Sequence, residues 1–409
     1  ALYAFVSLHA REGVGHFALD RPALMSFLEE GVISAISLPG KHSLTASGRL
    51  SYLLRYRRPR AAVGPYWTGH RMLHFDSDAP EVAADLCTDW AQHWRQDPLG
   101  LQAIADRQQM LRAVEGIVTR ARLDWAISEQ AISEDFLKRN SKHGPNAQPW
   151  AFPQALPLYH AAAVADQIRY LEARGSLAGY NHHDLYFMGK KASLHQGTWA
   201  HSSDEVRDIS VGNWQMRSAA LEMVRPFDLA ADSILHPSNV GWVKGRFINT
   251  PICRTNRALH WARVRAEPLA VLLLDFAKAF PSVCLRSMWA VLRAQGWPDE
   301  RVRALERLHT NMVQTICIAG KRFPGPPRHS GLWTGSGAST ILLLCLLDVF
   351  AGTLFSRIEF ERSDPDASDL ESFADDYTVI LRTMHHAGVF KDLLYQFWSW
   401  SGVGPSLSK

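Results

Sequence analysis

The sequence predicts a mixed α+β fold, on three observations. A continuous apolar run, Leu269 to Leu274, stops at Asp275, and a run that short, bounded by charge, fits a strand buried on both faces. Phe373-Ala374, Asp375-Asp376 and Tyr377 to Leu381 read as strand, turn and strand. Apolar residues recur at three and four over Val82, Leu86 and Trp90, and again over Met110, Leu111, Val114, Ile117 and Val118, which is the period of a half-buried helix.

The remaining elements follow in chain order. Residues 1 to about 75 mix short apolar stretches with Gly and Pro breaks, and carry the basic cluster Arg55, Arg57, Arg58 and Arg60, read as a solvated face. Helices are expected through 80–140, with Ser133 before Glu134 and Asp135 as a start signal. The loop Lys142 to Asn146 precedes a helix over 153–175. Strands are expected at Leu185–Met188 and Val206–Ser210, and helices at 214–233, 285–296 and 299–315. A Gly/Pro-rich loop, Gly320 to Gly337, leads into an apolar helix from Ser339. Asp364-Pro365-Asp366 marks a further loop.

Composition narrows the class. At about 150 residues per domain, 409 residues make two or three domains. An apolar fraction of 47% and a net charge of +4 exclude an intrinsically disordered chain. The mild basic excess is compatible with a nucleic-acid partner. Fourteen Trp suit large plugs between helices. Five scattered Cys contain no CxxC pair, so a zinc ribbon or thioredoxin-type motif is excluded, and most are expected to be small buried hydrophobes in a reducing compartment. The longest apolar run, Ile341 to Leu347, is broken by Asp348 and falls short of the ~20 residues of a membrane span, so no membrane is expected. The chain begins Ala1-Leu2, without Met or a signal-peptide pattern, and is read as an internal piece of a longer protein.

Chemistry concentrates at Asp275 and at Asp375-Asp376. A carboxylate at the end of a core strand is costly without a cation partner. Neighbouring strands of one sheet can bring the two places together. Clustered carboxylates repel, and Mg²⁺, which prefers oxygen ligands, relieves the repulsion. Two such ions ~4 Å apart serve in-line phosphoryl transfer. The residues alone therefore suggest metal-dependent nucleotidyl transfer. The adjacent pairs His182-His183 and His385-His386 do not converge on one metal and are read as surface histidines. Lys278, Arg254, Arg257, Arg263 and Arg265 are read as solvated charges.

Asp275-Phe276-Ala277-Lys278-Ala279-Phe280-Pro281-Ser282-Val283 resembles motif A of the reverse transcriptases of LINE-type (non-LTR) retrotransposons, and Phe373-Ala374-Asp375-Asp376 resembles their motif C. Between them, Ser330 to Ser339 occupies the place of motif B. Upstream, His236-Pro237-Ser238-Asn239, Gly241 to Arg246, Arg207-Asp208-Ile209-Ser210, Lys190-Lys191 and Gly144-Pro145-Asn146 are similar to further elements in family order. Leu407-Ser408-Lys409 resembles the start of motif D. The likeness covers about 133–409.

This resemblance implies a right-handed polymerase. Residues 1–130 would be a linker-like, mostly helical region, 131–265 the fingers, and 266–409 a palm with a ferredoxin-like antiparallel sheet and helices, the thumb being absent. It implies an RNA-directed DNA polymerase, intracellular, using an RNA template, a DNA primer and dNTPs with two Mg²⁺ ions, or Mn²⁺ in their place. Asp275 and Asp375 would ligate the metals, Asp376 would assist, and Lys409 would protonate pyrophosphate. Phe276 would bring its backbone near the triphosphate, and Phe280 would be the steric gate against a ribose 2′ hydroxyl. Arg207 and Lys190 would contact triphosphate oxygens, and Gly335 would shape the motif B loop.

Three departures stand out. Thr334 replaces the family's motif B Gln, Gly337 its Pro, and Asp208 the Pro after Arg207. Asp208 is expected to neutralise Arg207. Positioning dominates phosphoryl transfer, so impaired activity is expected. The alternative is a catalytically inactive nucleic-acid-binding remnant.

Overall fold

Side-chain alternation decides which face of the central sheet is covered. In the computed structural model Tyr377, Val379 and Leu381 are buried on one side of a strand whose other side begins with the exposed Asp376. The described residues are 64–95, 99–138, 153–154, 156–173, 175, 181–265, 270–357, 370–373, 376–381 and 384–406, all within one compact unit, Ala62–Lys409. The Arg55–Arg60 cluster, Gly144-Pro145-Asn146, Asp364-Pro365-Asp366, Asp375 and Lys409 lie outside the described residues.

A short hairpin, β1 (Pro65–Trp67) and β2 (Met72–His74), precedes α1 (Ala79–His93), α2 (Leu101–Leu111), α3 (Ile117–Ala121), α4 (Glu129–Lys138) and α5 (Pro157–Ala173). The start of α4 differs from the expected one. Ser128 accepts the Ala131 amide at 3.1 Å and caps the helix, while Ser133 lies inside it and donates to the Gln130 carbonyl at 2.8 Å. Then come β3 (His182–Gly189), β4 (Ser193–His195), β5 (Thr198–Ala200), β6 (Val206–Gly212), α6 (Trp214–Ile234) and α7 (Asn249–Arg265). The last part holds β7 (Ala270–Asp275), α8 (Ala279–Ser282), α9 (Leu285–Gln295), α10 (Asp299–Leu308), β8 (Val313–Ile318), β9 (Lys321–Pro324), α11 (Gly337–Arg357), β10 (Leu370–Phe373), β11 (Asp376–Leu381) and α12 (Met384–Ser401).

The helix expected over 299–315 ends at Leu308. Asn311 takes a left-handed φ of 53°, a conformation Asn tolerates better than most residues, and the β-branched run after it becomes a strand. β9 forms inside the expected loop, as an edge strand that ends on Pro324.

Two sheets result. One runs β6-β3-β8-β9, with β3 and β8 parallel and the other pairs antiparallel. The other is antiparallel in the order β10-β11-β7. After α12 the chain returns to the free edge of β7, where Phe276 bridges Pro405 antiparallel. The spatial order is thus Pro405, β7, β11, β10.

The larger core lies between this second sheet and its helices, and includes Phe276, Met288, Leu343, Phe350, Tyr377 and Trp400. A smaller core packs Tyr66, Phe75, Leu86, Trp90 and Trp94 against Leu185, Phe187 and Ile316 of the four-stranded sheet. Trp90, Trp94, Trp214, Trp333 and Trp400 are fully buried, as the Trp content suggested. Only Cys284 and Cys345 are buried; Cys253 is exposed. α11, 21 residues long, is long and apolar enough to cross a membrane, yet 83% of its apolar stretch is buried inside the protein. It is the core helix on which α6, α9 and α12 pack.

Strand β7 is not buried on both faces. Leu273 is 81% exposed, although Ile380, on the same face of the neighbouring β11, is buried.

Candidate active site

Asp275 closes β7 and Asp376 opens β11, and the two are direct partners in the antiparallel register. Opposed residues have Cα atoms roughly 4.5–5.5 Å apart and project to one face. The two carboxylates therefore share the open face that carries Leu273 and Thr378. Like charges directly opposite destabilise a sheet, and a hard divalent cation with oxygen ligands removes the repulsion. Among the described residues no group of three metal-ligating side chains is assembled. The described donor set is the Asp275–Asp376 pair.

The strand end is held at both edges. Beyond the β11 pairing, the Ser406 amide donates to the Asp275 carbonyl at 2.8 Å, and the Ala277 amide to the Gly404 carbonyl at 2.9 Å. The Phe276 ring is a core plug, edge-on to Tyr377 at 5.4 Å. Its side chain anchors the strand, and only its backbone is left for a ligand.

Lys278 corrects an expectation. It is not solvated: its side chain is 13% exposed and its ammonium lies 2.7 Å from Asp204 Oδ1. It also donates to His93 Nε2 at 2.7 Å and stands 4.8 Å above the Trp90 ring. Loss of water and the adjacent ammonium hold His93 below its usual range, which keeps Nε2 an acceptor. The Lys278 hydrogen bond holds Asp204 below the usual carboxylate range. Lys190 is exposed and donates to the Asp204 carbonyl at 3.2 Å. Both lysines thus converge on residue 204, just before β6.

Phe280 is half-buried, with its ring 5.7 Å from that of Trp242. Its carbonyl accepts the Leu332 amide at 2.8 Å, and the Val283 carbonyl accepts the Gly331 amide at 2.7 Å. A Cβ on Gly331 would meet the Pro281 carbonyl oxygen at 2.4 Å, so this close approach requires glycine. The segment resembling motif B is thereby tied to the one resembling motif A. Gly335 sits at φ 111°, where a Cβ would lie 3.2 Å from the Ser210 carbonyl oxygen.

Asp208 does not neutralise Arg207. Successive strand residues point to opposite faces: Arg207 is exposed, opposite Met188, while Asp208 is 3% exposed. Asp208 accepts the Thr334 hydroxyl at 3.2 and 3.3 Å and faces the buried Arg328 guanidinium at 3.8 Å. Two of the three departures from the resembled pattern, Asp208 and Thr334, are each other's partners. The surface reading of His183 also fails. It is 1% exposed, tilted against Trp333 at 4.6 Å, and Trp333 stacks in turn on His309 at 4.4 Å. His182 bonds Thr315 at 2.7 Å.

The 236–246 segment is a folded collar. Arg246 donates to the carbonyls of His236 at 2.8 Å and Asn239 at 2.7 Å, closing the C-terminal end of α6. Asp348 of α11 accepts the His236 amide at 2.7 Å and the Asn239 amide group at 2.6 Å, and burial pushes its carboxyl up to about 6.

Sequence reasoning missed Asp204, His93 and Arg328. Only Trp242 and Asp348 carried a local signal, the first in the Gly241–Arg246 element and the second as the lone charge in an apolar run. No protein-family model matches the chain, and no curated protein matches it.

Proposed function

We propose that this chain is an RNA-directed DNA polymerase that transfers a dNTP to a primer 3′ hydroxyl on an RNA template. The observation that carries the reading is the cross-strand pairing of Asp275 with Asp376 at the exposed end of an antiparallel sheet. With β8 and β9 leaving for the four-stranded sheet, the order β7, helices, β10, β11, α12 and the returning Pro405 supports a ferredoxin-like palm. The four-stranded sheet with Lys190 and Arg207 would then be the fingers, joined by β8 and β9 from within the 266–409 segment expected to be palm. Phe280 supports deoxynucleotide choice, and the resemblance of 133–409 supports the template class.

The donor chemistry fits Mg²⁺: Asp275 and Asp376, with Asp375, are hard oxygen ligands. Bound there, Mg²⁺ would supply charge neutralisation and an activated hydroxyl. The chain's own residues do the rest. The strand end, held from both edges, fixes where Asp275 stands. Lys190 and Arg207 offer cationic groups to phosphate oxygens. Phe280, backed by Trp242, closes the space beside the sugar.

A second reading, a nucleic-acid-binding protein without catalysis, is favoured by one observation. The Thr334 hydroxyl is committed to Asp208 and so is not presented to a base pair. Primer extension on primed RNA with Mg²⁺ and dNTPs decides between them. Extension that disappears in Asp275→Asn supports the polymerase. Salt-dependent RNA binding that is indifferent to Asp275→Asn, with no extension, supports the second reading and sinks the first.

A further inference from the structure

Arg328 is the most completely enclosed cation among the described residues, its side chain 0% exposed. Nothing in its sequence context marks it, since it follows Pro326-Pro327 in a turn-rich stretch. A buried guanidinium persists only when its donors are satisfied and its charge is paired. Its charge is paired, and each of its three nitrogens donates a hydrogen bond. Nε donates to the Ser330 carbonyl at 3.2 Å, Nη1 to the Ser210 hydroxyl at 3.1 Å, and Nη2 to the Leu332 carbonyl. The planar group lies 4.7 Å over the Trp94 ring. Asp208 supplies the charge, and the Arg328 guanidinium works against the burial that raises the Asp208 carboxyl. Burial pushes Arg328 down to about 10, so it stays charged at neutral pH.

This unit grips the 328–334 loop from three sides. The Thr334 carbonyl accepts the Ser210 amide at 2.8 Å, and the Trp94 carbonyl accepts the His329 amide at 3.0 Å. On its remaining side the loop donates the Leu332 amide to Phe280. We propose that Arg328 is a positioning residue: neutralised by Asp208, it fixes Leu332 and, through the Leu332 amide, the placement of Phe280, so that discrimination at the nucleotide's sugar depends on it. The proposal rests on the polymerase reading above. Asp208 and Thr334 are then one compensated device that serves Arg328, in place of the Pro and Gln of the resembled family.

The test compares the dNTP-over-NTP preference in primer extension of the unaltered chain, Arg328→Lys, and the charge-balanced double variant Arg328→Met with Asp208→Asn. The double variant removes both buried charges and so avoids leaving one unpaired. We expect its preference to fall at least tenfold while dNTP extension persists, and Arg328→Lys to keep most of the preference. A folded double variant with unaltered preference overturns the proposal. If the unaltered chain extends nothing, the polymerase reading and the sugar claim fall together. Amide exchange then reads the positioning alone. Exchange at Gly331 and Leu332 should quicken at least tenfold in the double variant while β3 amides hold, and unchanged exchange there overturns the positioning role too.

Discussion

The two sheets treat their polar residues in opposite ways. At the end of the β10-β11-β7 sheet, Asp275 and Asp376 stand opposite each other on an open face, beside an 81% exposed Leu273. At the four-stranded sheet one set of polar groups turns inward: Asp208 and His183 of its strands, with Arg328 and His309 from the adjoining loop and helix end, are buried, while Arg207 stays exposed. The first arrangement sets two like charges opposite each other at a strand end. The second closes its ionic account internally, through Asp208, Arg328 and Thr334. On the polymerase reading the open pair is the ligand site, and the buried network is its scaffold. Substitutions in the two places should therefore fail differently.

The largest expected effect breaks function alone. Asp275→Asn should lower primer extension by roughly 10³-fold or more, about 4 kcal/mol in barrier, with a melting temperature equal to or above that of the unaltered chain because a repulsion is removed. Extension and thermal unfolding on the same preparation check this. The mirror experiment is Asp208→Ala, which leaves the Arg328 charge buried without its carboxylate. Its cost should be about 3–5 kcal/mol of stability, measured by denaturant unfolding. A marginal loss there would show that the inner network does not carry the loop.

How much of this was legible depended on whether the signal was local. Asp275 and the Asp375-Asp376 pair were readable because an apolar run ending in charge, and a turn signal before the β-branched run Thr378–Ile380, are each local, although Asp376 proves to belong to β11 and not to the turn. The left-handed Asn311 that ends the helix early offered only a weak turn signal. The side taken by Asp208 was not readable. Val206, Asp208 and Ser210 alternate with Arg207 and Ile209, so both faces of β6 carry a polar group and period two cannot choose between them. Arg328 was invisible for a further reason: its partners come from positions 94, 208, 210 and 330–332, and no local pattern announces a convergence across the chain. The exposure of Leu273 was missed because an apolar residue on a ligand face and one in a core look alike in sequence.

The inner network should also respond to acid. His309 is buried, and the loss of water lowers its ring to about 4 from an ordinary 6.5. Folded, it stays neutral to about pH 4; unfolded, it takes a proton near 6.5. Between those values the unfolded state binds more protons, so stability falls as pH falls, by up to about 1.4 kcal/mol per pH unit from this ring. Burial lowers His183 in the same direction. Asp348 opposes them, because its folded carboxyl is pushed up to about 6 and gains a proton before the unfolded one does. His309→Gln should therefore flatten the acid limb of the stability profile, measured by urea unfolding from pH 7 to pH 4. An unchanged limb would mean that the ring is already hydrated.

The smallest effect tests whether the two sheets are coupled at all. Lys278 follows Asp275 by three residues, yet its ammonium belongs to Asp204 at the entrance to β6, 2.7 Å away. Because Asp204 is 77% exposed, the ion pair is partly screened. With the Trp90 face included, Lys278→Met should cost about 1 kcal/mol. Its value lies in where the loss appears. If Lys278 fastens the β6 entrance to the carboxylate strand, amide exchange should quicken at Glu205 and Val206 and at Ala277. The β3–β8 pairing should keep its protection. The charge reversal Lys278→Glu with Asp204→Lys should restore part of the protection at both ends, since it re-forms an ion pair there while the His93 and Trp90 contacts are lost. Restoration at neither end would mean that Lys278 only packs against Trp90 and His93, and that the link between the two sheets runs through the 328–334 loop.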